Sequence, residues 1–217
     1  MNNKLLITGI FLSIAFISCK KDNSGSYLLE NKGINYCINS IKDHPGTILL
    51  PEEDLILAKS LFDLNKLDYS NLQFYLLQTD ELGYYHVRCF QYANDLKIFT
   101  DEVIFHFNKT KTYYTLSGDI ITKIDLNREP SMKQNDVIEM FLNDLNQDNN
   151  YFGNKDDIKQ GCYDIEFGYF DLNAGISYSA SNFTKAWKVK PKDKQYPYAF
   201  INDMTSTTIY YDNGIRY

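Results

Sequence analysis

Three histidines, four cysteines and a scatter of carboxylates are the residues of this chain with the means to do chemistry. None of His44, His86 and His106 has a glutamate beside it. The H-E-x-x-H spacing, which sets two imidazoles on one helix face for zinc and a glutamate for the attacking water, is therefore absent. His86 and His106 fall in neighbouring segments of strand-like pattern. With an acid they could ligate zinc if they met across a sheet. The simpler expectation is that each pairs with a neighbour or with water and that no metal is bound. Cys89 follows His86 by three residues, a separation that puts the two side chains on opposite faces of a strand, so a cysteine nucleophile with a histidine base is not expected. Asp101 and Glu102 read as solvated charges, and the dispersed glycines form no phosphate-cradling loop. The expectation is no catalytic, cofactor-binding or metal residue, no cofactor and no enzymatic activity. The alternative kept beside it is a membrane-anchored hydrolase with an unrecognised site.

The elements that must carry these residues are strands. Between Gly83 and Ile121, aromatic and β-branched residues fill three stretches, separated by the polar turns Ala93-Asn94-Asp95 and Asn108-Lys109-Thr110-Lys111. Ahead of them, Pro51-Glu52-Glu53-Asp54 opens a helix whose proline and acids suit a first turn. Leu55, Ala58, Leu61, Phe62 and Leu64 follow at helical spacing, and a strand is expected over Asn71–Gln78. After Pro130, Val137, Ile138, Met140, Phe141, Leu142 and Leu145 make a second helix with a wide apolar stripe. The Asn- and Asp-rich stretch from Asn143 to Asp157 reads as a solvated loop. Strands are expected again at Tyr163–Tyr169, Phe183–Val189, Tyr196–Ile201 and Thr207–Tyr211. Tyr84-Tyr85, Tyr113-Tyr114 and Tyr210-Tyr211 should each give one ring to a core and one to the outer face. The outward rings would form an aromatic surface of the kind proteins use to bind one another.

The run from His86-Val87-Arg88 through Gln91 and Tyr92, Ile98-Phe99 and the late Gly118 resembles the propeptide motif of the fungalysin/thermolysin metallopeptidases. The resemblance implies a segment that folds and restrains a zinc peptidase, with the motif histidine and arginine serving the fold. The chain stops at Tyr217 with no peptidase attached, which leads to the expectation of a module acting in trans. The tail is similar to a PepSY-like unit: Ala186, Trp187 and Val189, then Ile201, Asn202 and Thr205, follow its closing hairpin. Ser206 stands where that pattern has glycine, and Asn202 where it has aspartate.

The N-terminus reads as an address. Lys4 precedes an apolar run of about a dozen residues, Leu5 to Ile17, closed by Ser18-Cys19. That length suits a signal-peptide core and falls short of the ~20 residues of a membrane span. The small residue before cysteine resembles the bacterial lipobox, which implies cleavage before Cys19 and lipidation of its thiol, with palmitate-type chains holding the protein at a membrane. Removing residues 1–18 takes away Lys4 and no acid, so the net charge moves from −6 to −7. That balance, without any basic run, argues against nucleic acid as a partner. Export permits one disulfide among Cys37, Cys89 and Cys162. Cys89, in mid-strand, is expected as a buried thiol; if a bridge forms, Cys37 with Cys162 is the favoured pair.

These readings combine into an α+β protein: two successive cystatin-like units, each a helix packed on an antiparallel β-sheet. The expected organisation is a lipoprotein signal peptide over 1–18 and a lipidated cysteine with an irregular tether over 19–50. A propeptide-motif unit would span 51–126 and a PepSY-like unit 130–217. The expected function is a non-catalytic, lipid-anchored exported binding module, a propeptide-like inhibitor or chaperone of a secreted metallopeptidase. Its partners would be an exported protein, with thermolysin-like peptidases first, and the membrane through Cys19. Its place would be the cell envelope, at the outer membrane of a Gram-negative bacterium. The residues singled out are Cys19 for lipidation and His86, Val87, Arg88, Gln91, Tyr92, Gly118 and Trp187 for the fold.

Overall fold

Strand-forming residues dominate the chain, and in the computed structural model they assemble into one nine-stranded sheet. The structure describes residues 35–41, 50–176 and 179–216. The expected signal peptide and Cys19 lie outside the described residues. The elements in chain order are β1 (Cys37–Ile41), α1 (Glu52–Leu64), β2 (Leu72–Thr79), β3 (Tyr85–Ala93), β4 (Leu96–Phe107) and β5 (Tyr113–Ser117). There follow α2 (Gln134–Gln147), α3 (Lys155–Lys159), β6 (Cys162–Asp171), β7 (Phe183–Pro191), β8 (Tyr198–Asn202) and β9 (Thr207–Asp212).

The expected α+β arrangement is found in both halves. In the first, α1 lies on the antiparallel strands β2 to β5. Ala58, Leu61 and Phe62 are fully buried, and the Phe62 ring sits 4.5 Å from that of Phe105 and 4.8 Å from that of Phe74. No basic residue closes α1; instead Asn65 donates to the Leu61 carbonyl and to that of Lys111, and accepts from the Tyr113 amide. One side chain thus satisfies a helix end and pins it to the β4–β5 turn. In the second half, Val137, Ile138, Phe141 and Leu145 of α2 bury their stripe against Tyr163, Ile165, Trp187, Val189, Ala199 and Ile201.

The two halves share a sheet rather than having one each. β4 and β6 run parallel and pair over Lys97–Gly168 and Ile98–Tyr169. Gly168 makes the approach possible, because a Cβ there would collide with the Lys97 carbonyl and the Phe99 ring. A third cluster of Ala93, Ile98, Ile124 and Tyr169 seals this joint. The segment between the halves is held on it: Asn94 donates to the Ile124 and Leu126 carbonyls, and the Tyr169 hydroxyl donates to Leu126.

Two expectations need correction. Residues 37–41 are not part of an irregular tether. They form β1, parallel to β6, with Cys37 bonded to Cys162 and Asn39 donating to Asp164 at 2.8 Å. The Asn143–Asp157 stretch is not all loop: α2 continues to Gln147, and α3 starts at Lys155 behind the cap Asn154, whose side chain accepts from the Asp156 amide. One apolar residue, Ile158, is enough to dock α3, being 1% exposed.

Candidate functional site

Alternation along β3 splits the propeptide-like residues between two faces. Val87 and Cys89 point into the α1 core and are wholly buried. Burial drives the Cys89 thiol far above its ordinary range, with the charge of Glu102 adding to it, so it stays an inert thiol. A bulge between Phe90 and Gln91 then turns the next residues inward. Gln91, 1% exposed, donates to the carbonyls of Asp101 and Asp119 and accepts from the Ile121 amide. Tyr92 donates to Gln73 at 2.8 Å in the interior. Gly118 has φ +88°, and a Cβ on it would lie 2.7 Å from the Glu102 carbonyl. Gln91 and Gly118 therefore do one job together: they fold the chain leaving β5 back against β4.

On the face away from α1, His86 and His106 are direct cross-strand partners, and their Nδ1 atoms lie 2.7 Å apart. At one end His86 Nε2 meets the Asp80 carboxylate at 3.1 Å; at the other His106 Nε2 meets Ser117 Oγ at 2.9 Å. The result is a continuous hydrogen-bonded line, Asp80–His86–His106–Ser117, from the β2–β3 turn across β3 and β4 to β5. The Tyr84 amide is the main group holding the Asp80 carboxyl below its usual range, with His86 and the Leu82 amide assisting. Burial, and then the charges of His86 and Arg88, lower the tendency of His106 to take up a proton. Beside the line, Arg88 pairs with Glu102 at 2.9 Å. The histidines therefore meet, as the zinc alternative required, and they pair with each other as well as with neighbours. Asp80 and Ser117 escaped sequence reasoning, since neither belongs to the propeptide-like residues.

In the second half, Trp187 donates its indole N–H to Asp203 at 2.9 Å. Asp203 also accepts from the Ser131 and Met132 amides and pairs with Lys185 at 3.3 Å. Burial alone would raise this carboxyl, but the Met132 and Ser131 amides, Trp187 and Lys185 together hold it below the carboxylate range. Lys185 in turn donates to the Glu129 carbonyl and to Asn127. The sequence reading looked for the acid of this turn at Asn202; the buried carboxylate is one residue on. Asn202 instead shapes the turn, accepting from the Met204 and Thr205 amides. Ser206 has φ +52°, the conformation glycine would adopt freely.

The tyrosine pairs divide only in part as expected. Tyr85 and Tyr211 pack on the two cores while Tyr84 and Tyr210 stand out. Tyr113 and Tyr114 are both exposed, and Tyr114 stacks on Tyr84 with ring centroids 6.4 Å apart. Two concavities lie away from the histidine line. A cleft of about 510 Å³ beside β5 is lined by Leu67, Phe105, Leu116 and Ile120, with Asp68 as its single carboxylate. A shallower one of about 410 Å³ holds Asp144, Asp148 and Asp212. All three carboxylates are engaged, with Thr208, with Asn213, and with Arg216 and the Gly214 amide respectively.

The geometry describes an α+β module in which the motif side chains are spent on holding strands and connections together. The Fungalysin/Thermolysin Propeptide Motif matches residues 78–120, the segment from the end of β2 to just past β5. The C-terminal domain of YpeB from Bacillus megaterium is a structural neighbour, with a TM-score of 0.37 and 9% identity over 80% of this chain and 70% of that one. Among curated proteins no sequence match is found.

Proposed function

We propose that this chain is an exported, lipid-anchored and non-catalytic binding module of propeptide type. It would act in trans on another exported protein, with thermolysin-like metallopeptidases as the first candidates. The observation that carries this reading is the propeptide-motif match over 78–120, in which Val87, Gln91, Tyr92 and Gly118 all engage the module itself. In such a module, affinity comes from presented surface, here the exposed rings of Tyr84, Tyr114 and Tyr210 and the outer strands β2 and β9. Acyl chains on Cys19 would confine the module to the surface where its partner emerges, raising the effective concentration of a weak, roughly micromolar contact.

A second reading is favoured by one observation. The Asp80–His86–His106–Ser117 line could relay a proton from a serine hydroxyl towards a carboxylate, as a hydrolase would require. A single set of measurements separates the two. The detergent-solubilised full chain is assayed against a broad panel of peptide, ester and glycoside substrates and for binding to thermolysin-like enzymes. The binding-module reading expects saturable binding and no turnover. Turnover that vanishes in Ser117→Ala would overturn it in favour of the hydrolase. Absence of binding to any such peptidase would remove the inhibitor version. Loss of anchoring is read separately: Cys19→Ala should abolish incorporation of labelled palmitate, and unchanged labelling would sink the lipobox assignment.

A further inference from the structure

We propose that His86 and His106 form a binding site for a divalent transition metal of the zinc and copper class, held between their facing Nδ1 atoms. The argument starts from Asp80. Its Oδ1 accepts from the Leu82 and Tyr84 amides, and its Oδ2 is left for His86 Nε2. An ionised carboxylate only accepts, so Nε2 of His86 carries the hydrogen and the neutral ring presents a bare Nδ1. That lone pair is aimed at Nδ1 of His106, 2.7 Å away.

Without a metal, the hydrogen of His106 sits on Nδ1 and bridges the rings, while Ser117 donates to Nε2. With a metal, that hydrogen moves to Nε2 and the Ser117 hydroxyl turns round to accept it, since a hydroxyl does either. No proton leaves the site. Both Nδ1 atoms then face one point as donors, and each imidazole is steadied from behind by an oxygen, the arrangement typical of ligating histidines.

Tetrahedral binding at about 2.0–2.1 Å per nitrogen needs the two nitrogens about 3.3 Å apart, so the rings must part by roughly 0.6 Å. His86 and Asp80 are part-exposed, with side chains 26% and 36% accessible, so no packed core resists that motion. The charge is favourable as well. Asp80 contributes a negative charge, and Arg88, whose charge acts on His106, is already matched by Glu102 at 2.9 Å. Among the described residues no group of three histidines, cysteines or acids converges, so solvent fills the remaining positions. Two imidazole ligands select copper and zinc over magnesium and calcium, which prefer oxygen. This inference is independent of the binding-module reading and revises the expectation of a metal-free chain.

The test is calorimetric titration of the chelator-treated, detergent-solubilised full chain with Zn²⁺ and with Cu²⁺. Alongside it, long-range ¹H–¹⁵N spectra of the histidine rings are recorded with and without Zn²⁺. A single saturable site is expected, weakened at least tenfold in His86→Asn and in His106→Asn, and about tenfold or more in Asp80→Asn. His44→Asn should bind as the unaltered chain does. The ring spectra need no variant, so they decide the matter even if a substitution unfolds the protein. Both Nδ1 atoms should shift on Zn²⁺ addition with both Nε2 atoms protonated. No saturable binding, undiminished binding in His106→Asn, or an intact Nδ1–H···Nδ1 bond at saturating Zn²⁺ would each overturn the site.

Discussion

Gly118 and Asp203 show how single residues decide local geometry here. Gly118 combines φ +88° with a Cβ position 2.7 Å from the backbone oxygen of Glu102, so an alanine meets strain and a clash together. Gly118→Ala should lower stability by about 1–3 kcal/mol in denaturant melts. Ser206, at φ +52°, is the opposite case: Ser206→Gly should raise stability by a few tenths to about 1 kcal/mol. Asp203 is the counter-charge of a lysine whose side chain is 6% exposed. Asp203→Asn should therefore cost about 3–5 kcal/mol, much of it from leaving Lys185 buried and uncompensated. Its carboxyl is held below the ordinary range in the folded protein, so its contribution is present at neutral pH. That contribution is lost as pH falls below about 4 and through the lowered folded value. Stability measured from pH 6 to pH 2 should fall less steeply in Asp203→Asn than in the unaltered protein.

At the scale of elements, each helix is held by tertiary packing more than by its own ends. α1 and α2 both lack a side-chain N-cap and a basic last turn. What keeps α1 in place is Phe62, which touches the rings of Tyr69, Phe74, Phe105 and Phe107. Phe62→Ala should cost about 3–5 kcal/mol, because the surrounding rings belong to β2, β4 and the α1–β2 connection and cannot all collapse into the gap. A change of only a few tenths in chemical denaturation would mean that this face carries little of the stability. The segment between β5 and α2 behaves similarly: Gln91, Asn94, Lys185 and Asp203 all reach it from strands or turns. It is a connection without regular structure whose backbone groups find partners on both halves.

Over the whole molecule, the Cys37–Cys162 bond has the longest reach, closing 125 residues of sequence. In the unfolded chain such a loop removes entropy worth about 4–5 kcal/mol, so reduction should lower stability by up to that amount. Melting with and without reductant measures it, and Cys89, buried in the α1 core, should stay unreactive until unfolding. The same bond fixes β1, whose Ile38 packs against the second core, to β6.

Much of this was legible in the sequence, because period and turn chemistry are local. Alternation placed β3 and β4, the Asn94-Asp95 turn joined them, and helical spacing picked out Ala58, Leu61 and Phe62 as the buried stripe of α1. With Cys89 in mid-strand, Cys37 and Cys162 were the favoured pair if a bridge formed, and the structure contains that bond. Other features depended on contacts between residues far apart in the chain, which no local pattern carries. The β4–β6 joint needed Gly168 to meet Lys97, and β1 became a strand only because β6 offered it an edge. His86 and His106 could be placed on neighbouring strands from sequence. Whether they faced one another depended on register, since a shift of one residue would have sent one of them to the other face. Composition and periodicity thus determined which residues face inward. Tertiary structure decided which of the remaining polar groups meet, because hydrogen bonds such as Asp80–His86–His106–Ser117 require ångström-scale placement that only the assembled sheet supplies.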